Sequence, residues 1–154
     1  MAGEGLMAGS TRRIVAGVDG SAPSKAALGW AIGQARLTGA SVDAVMAWLP
    51  PAIYAPVAGC DADVEGCYRK ALGDLITEVA SLEPHPPVQP VLGEGHPAEV
   101  LLDAARDADL LVVGSRGRGG FASAVIGSVS LQCVLHARCP VLVLRDGHEG
   151  QGRD

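Results

Sequence analysis

The sequence predicts an α/β fold: one domain, with a five-stranded, mostly parallel sheet covered by helices on both faces. Two observations carry this expectation. Short aliphatic runs alternate along the chain with longer segments whose apolar residues recur at helical spacing, the pattern of strand–helix–strand units. The composition agrees, because 48% of the residues are hydrophobic but only 3% aromatic, which leaves Ala, Val, Leu and Ile to fill the core. Strands buried on both faces of a parallel sheet read as such near-continuous aliphatic runs. At 154 residues the chain is long enough to bury roughly two-thirds of the surface that it exposes when unfolded.

The elements follow in order. Arg13–Asp19 (RIVAGVD) is a buried strand ending at Gly20. Pro23 suits the first turn of a helix, where a missing N–H costs nothing. Ala27, Leu28, Ala31, Ile32 and Ala35 form its apolar stripe, and Gly39 is its stop. Ser41–Trp48 is the second strand, followed by a proline-rich loop over 49–61. A helix over Ala62–Leu82 presents Leu72, Leu75, Ile76 and Val79, and Pro84, Pro86 and Pro87 end it. Val88–Leu92 is a strand that Pro90 assigns to a sheet edge. Pro97 opens a third helix lined by Val100, Leu101, Ala104 and Ala105. Asp109–Val113 is the most aliphatic strand, Ser128–His136 a helix, and Pro140–Leu144 the last strand.

The flanks read differently. Residues 1–12 have no apolar stretch suited to a signal peptide or membrane span and read as a disordered leader; 146–154 read as a disordered tail. The folded domain is expected over 13–145, in the cytoplasm. A net charge of -5 and a pI near 5.3 disfavour a nucleic-acid partner, and no membrane partner is expected. Cys60, Cys67, Cys133 and Cys139 match neither zinc nor CxxC spacing. Reduced thiols are the default, with Cys139 packed as a small hydrophobe; a thiol sensor built on Cys60 and Cys67 is a third, weaker reading of the chain.

In an open parallel sheet, ligands bind beyond the carboxyl ends of the strands, where the strand order reverses. Asp19, Met46 to Trp48 and the stretch GSRGRGGFASAVIGSVS at 114–130 all lie at such ends. That stretch is no linker, because Phe121, Val125 and Ile126 are too apolar and a helix and strand follow. It is no Walker A loop, because the chain has no Gly-Lys pair. Gly117–Ala122 matches GxGxxA, but the acidic residue that would hold a ribose is absent about twenty positions on. The whole stretch has another pattern: Gly114, two residues, Gly117, nine residues, then Gly127-Ser128. Glycines admit a ligand without a Cβ in the way, and a helix opening at Ser128 offers free N–H groups and its positive dipole end to an anion. Arg116 and Arg118 bring charge, or are simply solvated loop residues. Ser128 serves the ligand, caps the helix, or does both.

This spacing resembles the G-2x-G-9x-G-[ST] nucleotide signature of the universal stress protein family. VDGS at 18–21, GHPAEVLLDAA at 95–105, ADLLVVGSRGRGG at 108–120 and CPVLVL at 139–144 extend the resemblance over most of 13–145. The resemblance implies a Rossmann-like fold of the adenine nucleotide α-hydrolase type. It places Asp19 at the base and ribose end of the nucleotide, with Gly17, Val18, Met46 and Ala47 completing the adenine pocket. Gly114, Ser115, Arg116, Gly117, Gly127, Ser128, Val129 and Ser130 make up the rest of the expected set. It further implies a homodimer in which the last strand, Val141, Leu142, Val143 and Leu144, meets its copy across a two-fold axis. That strand would otherwise be an uncovered aliphatic edge.

The expected function is a cytosolic ATP-binding stress-response regulator, with Mg2+ accompanying the nucleotide and slow hydrolysis at most. The alternative is a dimeric interaction module that takes AMP, cyclic AMP or no nucleotide. His96 and His136 lack a partner serine or cysteine in a nucleophile setting such as GxSxG, so no catalytic residue is expected. Residues 54–68 either cover the pocket or form a surface insertion.

Overall fold

The computed structural model of the chain describes residues 11–51, 63–81, 84–117 and 126–145. Residues 1–10 of the leader expected over 1–12, the tail over 146–154, the loop with Cys60, and Arg118 to Val125 lie outside the described residues. Five strands form one all-parallel sheet in the order β3-β2-β1-β4-β5. The strands are β1 (Arg13–Gly17), β2 (Ser41–Trp48), β3 (Val88–Glu94), β4 (Leu110–Gly114) and β5 (Val141–Leu144). The helices between them are α1 (Ala22–Thr38), α2 (Val64–Val79), α3 (Pro97–Ala104) and α4 (Ser128–His136).

Local chemistry sets the helix ends. Ser21 caps α1 with its side chain, and Gly39 closes it in the left-handed region at φ 72, where a Cβ would be strained. Asp63 caps α2 through a 2.8 Å bond from the Gly66 N–H to its carboxylate. The helix predicted over 62–82 is therefore shorter at both ends, Asp63 being its cap rather than part of it. β3 runs two residues beyond its expected end, since pairing continues as far as Trp48 opposite Glu94. Pro90 sits on that strand, at the sheet edge as predicted, where a missing donor breaks no ladder.

The sheet divides the core in two. Ile14, Ala16, Val42, Ala44 and Val112 point to one face, where Leu28 and Ile32 of α1 and Leu72 and Leu75 of α2 cover them. Val15, Val45, Leu111 and Val113 point to the other, covered by Leu101 of α3 and Cys133 of α4. Period-two alternation along each strand produces the division. At the amino end of the sheet, Arg13 joins three elements: its guanidinium lies 2.7 Å from Asp43 of β2 and donates at 3.1 Å to the carbonyl of Ala104 on α3.

The cysteines fall into two environments. Cys67 is disulfide-bonded, which corrects the expectation of reduced thiols at that position: the default was a statement about compartment and carried no geometry. Cys133 and Cys139 are free. Cys139 packs on the second core cluster, as expected of a small hydrophobe. Cys133 is fully buried, and burial, reinforced by the neighbouring Cys139, raises its thiol from 9.0 to about 11. The folded protein therefore holds this proton more tightly than the unfolded chain, so the contribution is complete below pH 9.0 and is lost as pH rises towards about 11. Urea melts of wild type and Cys133→Ala across that interval should show the wild type losing stability more steeply; parallel curves would remove the assignment.

Candidate functional site

The chain runs outward from β1 to β2 and β3, then returns to place β4 on the other side of β1. This reversal opens a crevice beyond the carboxyl ends of β1 and β4. Its volume is about 300 Å³, at the lower end of the range of small-molecule sites.

The expected residues are distributed around it unevenly. Gly17, Val18 and Asp19 line the crevice from the end of β1, and Ala47 from the end of β2. Gly114, Arg116 and Gly117 line it from β4 and the turn beyond. Gly127, Ser128, Val129 and Ser130 close it from the start of α4. Met46 stands apart: it is buried in the core cluster beneath α1 and α2. Alternation explains this placement, because Val45 and Ala47 face the crevice and the residue between them must face the opposite way. Ser115 is likewise buried and contributes through its backbone.

That backbone is the frame of the site. The Ser115 N–H donates to the carbonyl of Leu144 on β5, and its carbonyl accepts from the Gly127 N–H, both at 2.6 Å. The Ser130 hydroxyl, buried beneath them, donates to the Gly114 carbonyl at 2.6 Å. Ser130 thus secures the first turn of α4 against the end of β4. The cap of α4 is Gly127 rather than Ser128, and no side chain occupies the cap position. Among the described residues no side chain caps this first turn, whose N–H groups stand beside the positive end of the helix dipole.

The glycines serve different ends. A Cβ on Gly114 would lie 2.7 Å from Pro23 Cβ and 2.9 Å from the Pro23 carbonyl carbon, so this glycine allows α1 to pack on the end of β4. On Gly17 it would meet Leu101 of α3 at 2.9 Å. On Gly117 it would lie 2.6 Å from Asp19 Oδ2, so the turn after β4 passes close to the end of β1. On Gly127 the nearest atom is at an ordinary 3.4 Å. At Gly17, Gly114 and Gly117 alike, the missing Cβ leaves room for a neighbouring part of the chain, and all three line the crevice.

Ser24, Val45, Pro97, Leu101 and Val113 also line the crevice and escaped the sequence reading. Pro97 and Leu101 come from α3, and only the tertiary fold brings that helix to the site. Ser24 had a usable signal: it recurs three residues after Ser21 at a helix start, and its hydroxyl accepts from the Asp19 N–H at 3.2 Å. His96 is exposed at the start of α3 and His136 is exposed in the last turn of α4. Among the described residues no group of His, Cys, Asp and Glu side chains is arranged to hold a metal ion, and no helix is long and apolar enough to cross a membrane.

A five-stranded order of this kind, with glycines and an open helix start at the reversal, matches a known family. The model of the universal stress protein family matches residues 10–145. The chain belongs to this family. A universal stress protein of Mycolicibacterium smegmatis is 32% identical over 132 residues, covering 86% of this chain and 45% of its own. The chain thus spans about half the length of the curated relatives that it matches. Among solved structures, the universal stress protein UspA of Lactobacillus plantarum superposes with a TM-score of 0.71 at 26% identity, over 87% of this chain and 97% of that one. A universal stress protein in complex with cAMP gives 0.68 at 25% identity, over 88% and 98%. The Rossmann-like α/β architecture expected from the sequence is the fold of the family.

The glycine geometry predicts a sharp contrast between two substitutions. Gly114→Ala should cost about 1–3 kcal/mol through overpacking against Pro23, whereas Gly127→Ala should lose only the smaller preference of glycine over alanine at a helix N-cap; equal melting temperatures for the two variants would contradict the packing role.

Proposed function

We propose that this universal stress protein binds an adenine nucleotide, ATP in the first instance, in the crevice beyond β1 and β4, and that it acts as a cytoplasmic stress-response regulator rather than a turnover enzyme. The observation that carries the reading is the uncapped start of α4 facing Asp19 across Gly117, within one crevice. The two ends are chemically distinct, as a nucleotide requires. The α4 end offers backbone N–H groups and a positive dipole to phosphate. At the other end Asp19 can accept from ribose hydroxyls, and Gly17, Val18, Ala47 and Leu101 form a largely apolar wall for a base.

Asp19 is the single carboxylate among the described lining residues. Mg2+ keeps several waters and commonly takes one or two carboxylates plus the substrate's own phosphates. The residues therefore fit a magnesium ion that arrives with ATP and is held mainly by it. Binding with slow hydrolysis at most is the corresponding expectation. The related protein in complex with cAMP supports a second reading, in which the same crevice takes AMP or cyclic AMP.

A homodimer through β5 belongs to the proposal. Among the described residues β5 pairs on one side only, with β4, and its four residues are each only partly buried. Leu131, Val134 and Leu135 of α4 add exposed apolar surface at helical spacing. An aliphatic edge of this kind is relieved by pairing with a second copy.

Calorimetric titration with ATP, AMP and cyclic AMP tests the ligand. Micromolar binding of one of them, weakened about tenfold or more in Asp19→Ala and Gly117→Ala, is the expected result; folded variants with full affinity would end the reading. For the dimer, Val143→Asp should elute from a sizing column as a monomer where wild type elutes as a dimer. An unchanged elution volume would count against the β5 interface.

A further inference from the structure

Asp19 does not hold its orientation alone. Its Oδ1 accepts from the Ser21 N–H at 2.9 Å and from the Ser21 hydroxyl at 2.5 Å. Gly20, at φ 84, supplies the backbone turn that folds the carboxylate back over Ser21. The same serine oxygen caps α1 by accepting from the Ser24 N–H at 3.4 Å. Ser24 completes the knot: its hydroxyl donates to the Ser21 carbonyl at 2.9 Å and accepts from the Asp19 N–H at 3.2 Å. Two donors hold Oδ1, and with it so held Oδ2 faces Gly117.

We infer that Ser21 is a positioning residue for the crevice: by fixing Asp19 Oδ1 it aims Oδ2, and so sets how strongly the site distinguishes a ribose from a sugar without hydroxyls. The inference rests on the nucleotide reading above and adds a specificity determinant to it. The reasoning is geometric. A carboxylate free to rotate about its side-chain torsions accepts a hydroxyl at an entropic cost, whereas one already fixed by two hydrogen bonds does not. Hydrogen bonds to an ionised acceptor are both the strong ones and the orientation-dependent ones. Ser21 is absent from the described lining of the crevice. Its influence runs through Asp19.

The role separates from simple support of the fold because it predicts a ratio. Loss of a helix cap lowers stability and would weaken all ligands together. Loss of Asp19 alignment weakens only the ligand with hydroxyls to be accepted. The test is calorimetric titration of wild type, Ser21→Ala, Ser21→Thr and Ser21→Gly with ATP and with 2′,3′-dideoxy-ATP. Glycine retains most of the cap stability and the backbone N–H while removing the hydroxyl, so it covers the case in which the alanine variant folds poorly. Wild type should favour ATP over the dideoxy nucleotide by about tenfold or more. The ratio should fall to about threefold or less in Ser21→Ala and Ser21→Gly, and return in Ser21→Thr. A folded Ser21→Gly protein with the wild-type ratio would overturn the role of Ser21 while leaving nucleotide binding intact. Wild type that binds neither nucleotide would overturn the nucleotide reading itself, and this inference with it.

Discussion

A helix can press against the end of a strand only where the strand presents no side chain. β1 and β4 end in glycine, and each glycine receives a helix from a different face of the sheet: Gly17 takes Leu101 of α3, and Gly114 takes Pro23 at the start of α1. Both contacts lie inside the distance that a Cβ would need. The two helices thereby converge on the point where the strand order reverses, and the crevice between them has walls because of that convergence. Had either strand ended in a larger residue, the helix would stand off and the site would open into a shallow groove. Close packing of the chain on itself comes first, and a place for a ligand follows from it.

Around this point the polar groups are arranged in two units of different character. On the β1 side, Asp19, Ser21 and Ser24 satisfy one another through side chains within six residues of sequence. On the β4 side the bonds are longer in sequence: Ser130 reaches Gly114, and Gly127 reaches Ser115. The first unit is local and forms with the helix cap; the second exists only when α4 has docked. The charge distribution follows the same split, with a carboxylate at one end and the open helix start and Arg116 at the other.

Much of the fold was legible because the strands obey a simple rule. β2 and α4 have the boundaries that periodicity assigns them, and β3 takes the edge position that Pro90 requires. What the sequence could not separate were two uses of glycine. Gly114 and Gly117 look alike in a motif, yet one lies against Pro23 and the other against Asp19, a distinction that depends on residues over ninety positions away. Leu101 and Pro97 were hidden for a related reason, since nothing local to α3 announces that it reaches the ends of β1 and β4. The placement of the Met46 side chain follows from alternation along β2, which turns it opposite its two neighbours.

One residue, Ser115, joins the outermost strand to the crevice. Its N–H is committed to Leu144, the last residue of β5, and its carbonyl to the amide that opens α4. In mechanical terms the sheet edge and the anion-facing helix turn hang on the two rigid peptide planes that flank one Cα, with only φ and ψ of Ser115 between them. A shift of β5 along its own axis would pull on the first of these planes and, through Ser115, on the start of α4. The edge strand therefore acts as a lever on the crevice, with a span of two hydrogen bonds.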